Sequence, residues 1–65
     1  MKKHIGYYIT NSHDARVEIN NIVVLYPETH IYTSSVSEDS KTIYVEFETL
    51  EQFVPAIEKR LAPYV

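Results

Sequence analysis

Residues 30–48 read HIYTSSVSEDSKTIYVEFE and carry the clearest secondary-structure pattern in the chain. Its second half alternates, with Ile43, Val45 and Phe47 on one side and Tyr44, Glu46 and Glu48 on the other. Successive side chains of a strand point to opposite faces, so this pattern indicates a sheet with one buried and one solvated face. The turn-forming residues 37–40 separate it from another β-prone run, His30–Val36. The stretch therefore predicts a β-hairpin with strands 30–36 and 41–48.

Residues 15–26 fit two structures, and the preferred interpretation is a second hairpin. A two-residue loop at Asn20-Asn21 pairs six residues on one face: Ala15, Val17, Ile19, Ile22, Val24 and Tyr26. Asparagine tolerates the positive φ that tight hairpin loops require, and β-branched residues favour strands. The segment then supplies two more strands.

A helix is the alternative for the same residues. It would place five of them on one stripe: Ala15, Ile19, Ile22, Val23 and Tyr26. Ser12 or Asp14 could cap its N-terminus. Against a helix, Val17 and Val24 would lie on the opposite face, and two asparagines would sit in its middle.

The C-terminal segment predicts a helix. Thr49-Leu50-Glu51-Gln52 fits a capping box, in which the Thr49 hydroxyl and the Gln52 side chain satisfy free backbone amides. An apolar stripe follows at helical spacing: Leu50, Phe53, Val54, Ile57 and Leu61. Pro55 interrupts this pattern, so either the first turn is separate and the helix proper starts at Pro55, or the helix bends there.

Together these segments predict an α+β fold. An N-terminal strand, His4–Thr10, joins the two hairpins in an antiparallel meander of about five strands, covered on one face by the C-terminal helix. The predicted core on the sheet side comprises Ile5, Tyr7, Ile9, Val17, Ile19, Ile22, Val24, Ile43, Val45 and Phe47. If residues 15–26 are helical instead, the order β-α-β-β-α resembles a ferredoxin-like domain that lacks its last strand. That resemblance concerns topology and implies no function.

Length, charge and cysteine content bound the class of protein. A chain of 65 residues makes a single small domain, 1–65, and a fold of this size often gains stability from a partner or a second copy. The chain has no cysteine, and the apolar run that should follow Met1-Lys2-Lys3 in a signal peptide is missing, so we expect a cytoplasmic protein without a membrane segment. The net charge is −3, and residues 27–51 hold six carboxylates against Lys41 alone. Such a segment is unsuited to a phosphate backbone and suits a basic protein surface.

No pattern of catalytic or metal-binding residues stands out. Ser12-His13-Asp14 contains the residue types of a hydrolase triad, but three consecutive residues cannot place the base between the other two. The three histidines, His4, His13 and His30, fall on different predicted elements, whereas metal ligands usually include a closely spaced pair. We therefore expect no enzyme, no metal site and no cofactor.

The remaining signal is an acidic, tyrosine-bearing surface. It predicts a non-enzymatic interaction module, a small acidic regulator or inhibitor that binds a larger protein with a basic surface. The predicted partner-binding residues are Tyr32, Glu38, Asp39, Tyr44, Glu46, Glu48 and Glu51. Two alternatives remain: a sheet that binds single-stranded nucleic acid by tyrosine stacking, and a small-ligand or catalytic site formed across the interface of a homodimer.

Overall fold

The computed structural model describes residues 1–65, in which two helices pack on one face of a three-stranded antiparallel sheet. The elements are strand β1 (Lys2–Thr10), helix α1 (His13–Leu25), strand β2 (His30–Val36), strand β3 (Thr42–Leu50), a 3-10 turn (Glu51–Phe53), helix α2 (Val54–Leu61) and a second 3-10 turn (Ala62–Tyr64). The strand order is β1-β3-β2, so β3 is the central strand. None of the helices has the length and apolar character needed to cross a bilayer.

The α+β class and the hairpin of β2 and β3 are confirmed. In β3 the side chains of Ile43, Val45, Phe47 and Thr49 are buried beneath the helices. The alternate residues, from Thr42 to Leu50, are half-buried on the other face. Period-two alternation therefore identified this strand and the face that it buries.

The preferred hairpin at residues 15–26 is wrong, because this segment forms most of α1. The Ser12 hydroxyl accepts a hydrogen bond from the Ala15 amide at 3.1 Å and caps the helix. Burying a side chain such as Ile19 or Ile22 stabilises by roughly 1.5–3 kcal/mol, whereas the helix propensity of a β-branched residue costs at most about 0.7 kcal/mol. The buried stripe therefore outweighs the local preference for a strand.

The five-stranded meander is wrong for the same reason. With α1 between β1 and β2, the element order is the β-α-β-β-α of the alternative prediction. Val17 and Val24, which the hairpin placed in the core, are 42% and 82% exposed on the outer side of α1. The core instead joins two strands, β1 and β3, to the two helices through Ile9, Ala15, Ile19, Ile22, Ile43, Val45, Phe47, Ile57 and Leu61.

The predicted capping box at Thr49 is also wrong. Thr49 lies inside β3, and its hydroxyl shares a buried hydrogen bond with Thr29 rather than capping a helix. The strand continues to Leu50, a separate 3-10 turn follows, and α2 begins at Val54 with Pro55 in its first turn. Proline is tolerated there because its missing amide has no helical acceptor. Only Ile57 and Leu61 of the predicted C-terminal stripe are fully buried.

Candidate interaction face

Because both helices cover the same side of the sheet, its other side has no covering layer. We call this side the open face. Directly opposite residues in an antiparallel pair share a face. The pairing of β1 and β2 with β3 therefore assigns to the open face Lys2, His4, Gly6, Tyr8, Thr10, His30, Thr33, Ser35, Thr42, Tyr44, Glu46, Glu48 and Leu50.

A β-bulge adds a further aromatic side chain to the open face. The register between β2 and β3 shifts between Ile31 and Thr33, which leaves Tyr32 as the extra residue. Bulges re-aim side chains, and here the Tyr32 ring lies 4.6 Å from the ring of His4, centroid to centroid. Because His4 belongs to β1 and Tyr32 to β2, the two rings meet across the central strand.

A second aromatic pair lies further along the sheet. Tyr8 and Tyr44 are directly opposite each other on β1 and β3, and their ring centroids are 4.8 Å apart at an interplanar angle of 45°. Tyr8 is 69% exposed and Tyr32 is 63% exposed. The open face therefore presents large aromatic surfaces to solvent, and aromatic residues are enriched at protein interfaces.

Gly6 determines where the Tyr44 side chain lies. A Cβ atom on Gly6 would be 2.6 Å from Tyr44 Oη, so only glycine leaves room for the phenol. In this position the Tyr44 hydroxyl donates a hydrogen bond to Glu46 Oε1. That hydrogen bond is the main reason why the pKa of Tyr44 is raised above its ordinary value.

The two carboxylates of the open face have different partners. Glu48 Oε2 lies 2.9 Å from His4 Nε2, and Glu48 Oε1 lies 3.6 Å from Lys2 Nζ. The hydrogen bond with His4, followed by the charge of Lys2, lowers the pKa of Glu48. Glu46 has no cation within ion-pairing distance, because its neighbours on β1 and β2 are Gly6 and Thr33. Glu46 is therefore the uncompensated charge at the centre of the face.

Only some of the predicted partner-binding residues lie together. Tyr32, Tyr44, Glu46 and Glu48 share the open face. Glu38 and Asp39 are in the turn between β2 and β3, where Asp39 Oδ1 accepts hydrogen bonds from the Ser37 hydroxyl at 2.6 Å and the Lys41 amide at 3.0 Å. These bonds lower the pKa of Asp39 and give it a structural role in the turn.

The last predicted residue, Glu51, follows β3 at the opposite end of that strand, with Lys3 Nζ 3.5 Å from its carboxylate. Folding thus brings Lys2 and Lys3 beside the acidic segment and neutralises part of it.

Sequence reasoning missed the contribution of β1 to the site. His4, Gly6 and Tyr8 join the open face because β1 pairs with β3 rather than with its neighbour in sequence. Their common even spacing was visible in the sequence. The partner strand was not, because this pairing joins residues about forty positions apart.

The other candidate groups do not assemble into a site. Ser12 caps α1, His13 is the first residue of that helix, and no cluster of three His, Cys, Asp or Glu side chains is placed to hold a metal ion. Two open depressions are present. One, of about 220 Å³, adjoins the open face beside Tyr8 and Tyr44; the other, of about 260 Å³, lies between α1 and β2 beside Ile19 and Ile31.

Comparison of the chain with models of protein families, with curated proteins and with solved structures finds no match.

Proposed function

We propose that this protein is a non-enzymatic interaction module whose open face binds a basic segment of a larger protein. The observation that carries the proposal is the position of Glu46, a carboxylate without a cation partner that lies among the exposed rings of Tyr8 and Tyr32 and the half-buried ring of Tyr44. By covering a basic surface, a domain of this size would act as a regulator or inhibitor of the protein that it binds.

Arginine is the side chain that this arrangement fits best. Its guanidinium group stacks on aromatic rings and at the same time donates hydrogen bonds to a carboxylate. A guanidinium over the Tyr8–Tyr44 pair would have Glu46 within the same patch, because Glu46 and Tyr44 are neighbours on one face of β3. Lysine would supply the charge without the planar stacking surface.

The direct test is titration of the isotope-labelled protein with defined peptides. The probes are a decapeptide of alternating arginine and serine, its lysine counterpart and its glutamate counterpart. We expect amide shifts at Tyr8, Tyr44 and Glu46, larger with arginine than with lysine and absent with glutamate. Shifts confined to other parts of the chain, or none at millimolar peptide, would contradict the proposal.

A matched pair of variants separates a site-specific effect from a change in net charge. Glu46→Gln and Glu58→Gln each remove one negative charge, but Glu58 is exposed on α2, in the layer on the far side of the sheet. Binding of the arginine peptide should weaken with Glu46→Gln and change little with Glu58→Gln. Equal weakening by both variants would reduce the interaction to nonspecific charge attraction.

Exposed tyrosines on a sheet face also favour a second candidate function, stacking on the bases of single-stranded nucleic acid. Glu46 and Glu48 oppose it, since they lie between the rings where a phosphate backbone would approach. The two functions respond oppositely to Glu46→Gln, which should strengthen binding of oligothymidylate and weaken binding of the arginine peptide. Oligothymidylate binding at low salt that increases in the variant would favour nucleic acid.

A further inference from the structure

The outer edge of β1 carries a regular row of unpaired backbone groups. The Asn11 amide donates to the Lys41 carbonyl and the Glu51 amide donates to the Met1 carbonyl, each at 2.9 Å, in the same register as the pairing of β1 with β3. In an antiparallel ladder, hydrogen-bonded residues alternate with residues that face the other way. The backbone groups of the odd-numbered residues of β1 therefore face β3, and the amides and carbonyls of Lys2, His4, Gly6, Tyr8 and Thr10 point outward. The Thr10 carbonyl accepts a hydrogen bond from the Ser12 amide at 3.0 Å, so the unpaired row ends at the Thr10 amide.

The two edges of the sheet differ in how they are protected. On β2 the bulge at Tyr32 breaks the row of backbone groups, and bulges are one of the features that keep edge strands from pairing. Strand β1 pairs over nine residues without a register shift. Its two lysines, which often guard an edge, are directed toward Glu48 and Glu51 on the β3 side.

We infer that the edge of β1 pairs with the same edge of a second copy of this chain. The antiparallel register that matches outward residues with outward residues sets Gly6 opposite Gly6 of the second copy, on a two-fold axis. His4 then faces Tyr8 of the second copy, and Tyr8 faces His4 of the second copy. These three central pairs each exchange two hydrogen bonds. The result is a continuous six-stranded sheet with both open faces on the same side.

Side chains on the helix side complement each other in this register. Ile5 and Tyr7 are half-buried at the margin of the core. In this register Ile5 would face Tyr7 of the second copy, and Tyr7 would face Ile5 of the second copy. Only 11 of the 65 residues are buried, so the apolar core is small. Covering its margin would remove more apolar surface from water and stabilise the fold. The interface thus joins an exposed ladder to a partly exposed apolar border.

The charges permit this pairing. Lys2 faces Thr10 of the second copy, so no two like charges are directly opposite each other. The two Glu46 carboxylates lie three strand spacings apart, or about 14 Å, which exceeds the Debye length of about 8 Å at physiological ionic strength. The proposal concerns the strand edge and does not depend on what the open face binds.

Amide hydrogen exchange tests the alternation directly. We expect the amides of His4, Gly6 and Tyr8 to exchange freely at low micromolar protein and to become protected at millimolar protein, together with a dimer mass by light scattering. The inward amides of Ile5, Tyr7 and Ile9 serve as the internal control and should be protected at both concentrations. A chain that remains monomeric, or a dimer whose outward β1 amides still exchange freely, would overturn the inference.

Position 10 offers a matched pair of variants that tests the register. Thr10 is exposed at the end of β1, and its side chain would lie opposite Lys2 of the second copy. Thr10→Glu creates two cross-strand attractions per dimer and Thr10→Lys creates two repulsions. Each should shift the dissociation constant by about two-fold to thirty-fold, in opposite directions. Equal dissociation constants for the two variants, with folding verified by circular dichroism, would contradict the register.

Discussion

The hydroxyl oxygens of Thr29 and Thr49 lie 2.8 Å apart and share a hydrogen bond in the interior of the protein. Both residues are buried. Thr29 ends the connection from α1 to β2, and Thr49 is near the end of β3. The bond therefore fastens that connection to the central strand and keeps two polar groups satisfied without water.

Removing one of these hydroxyls should be costly, and removing both should not. Thr49→Val keeps the shape of the side chain but leaves the Thr29 hydroxyl buried without its partner, which should lower the free energy of unfolding by about 1–3 kcal/mol. In the double variant Thr29→Val/Thr49→Val no polar group is left unpaired, so stability should return close to the wild-type value. Urea denaturation measures the free energy of unfolding of the single and the double variant. A double variant as unstable as the sum of the single variants would show that the hydroxyls act independently.

The Tyr7 hydroxyl is buried without a hydrogen-bond partner. Burying this hydroxyl without a partner costs free energy, because the group loses its hydrogen bonds to water. Tyr7→Phe removes the hydroxyl and should therefore raise the free energy of unfolding by about 1 kcal/mol. Tyr44→Phe is the matched control, because the Tyr44 hydroxyl has a partner in Glu46. A Tyr7→Phe variant less stable than the wild type would indicate that the hydroxyl has a partner in solution.

Alkaline titration provides a separate test of Tyr7. Burial, followed by the nearby charge of Glu58, raises the pKa of Tyr7 from 10.0 to about 12. A tyrosine with a raised folded-state pKa contributes stability that is fully present below pH 10 and is lost as the pH rises through about 12. Between these values the free energy of unfolding should fall more steeply in the wild type than in Tyr7→Phe. Phenolate absorbance, compared between the two proteins, would assign the late-titrating group.

Arg60 links the two helices. Its Nη1 atom lies 2.8 Å from Glu18 Oε1, its Nε atom donates to Tyr26 Oη at 3.1 Å, and its guanidinium carbon is 5.9 Å from the centroid of the Tyr26 ring. Arg60→Lys keeps the charge but loses the geometry that reaches two acceptors at once. We expect a small loss of stability that shrinks as salt is added, because exposed ion pairs are screened. A loss independent of salt would point instead to the packing of the guanidinium on Tyr26.

The hairpin of β2 and β3 could be predicted from the sequence because its signal is local. Ile43, Val45 and Phe47 alternate with polar residues, and a turn-forming segment lies next to them. Residues 15–26 carried a helical stripe and a strand-like composition at once. What decided between them was burial against β3, a contact that no local pattern shows.

The residues of the candidate site also fall into two groups: those that a local sequence pattern could place together and those that it could not. Tyr44, Glu46 and Glu48 could be grouped because they alternate along one strand. Tyr32 reaches the open face only through a bulge, and Tyr8 through pairing with a strand distant in sequence. Glu38 and Glu51 were predicted to belong to the same site only because they are acidic. In the structure the two residues lie beyond opposite ends of β3.

Gly6→Ala tests whether the glycine positions Tyr44 for binding. The new Cβ would lie 2.6 Å from Tyr44 Oη and 3.2 Å from Cζ, so the ring must move off β1 and lose its hydrogen bond to Glu46. Because that bond raises the pKa of Tyr44, the pKa should move back toward 10.0, as followed by the ring carbon shifts of Tyr44. Alanine in place of glycine within a strand gains about 0.5–1 kcal/mol, which offsets the lost contact and keeps the fold intact. Binding of the arginine peptide should nevertheless weaken, since Tyr44 and Glu46 no longer form one patch. An unchanged Tyr44 pKa together with unchanged peptide binding would show that Gly6 has no part in the open face.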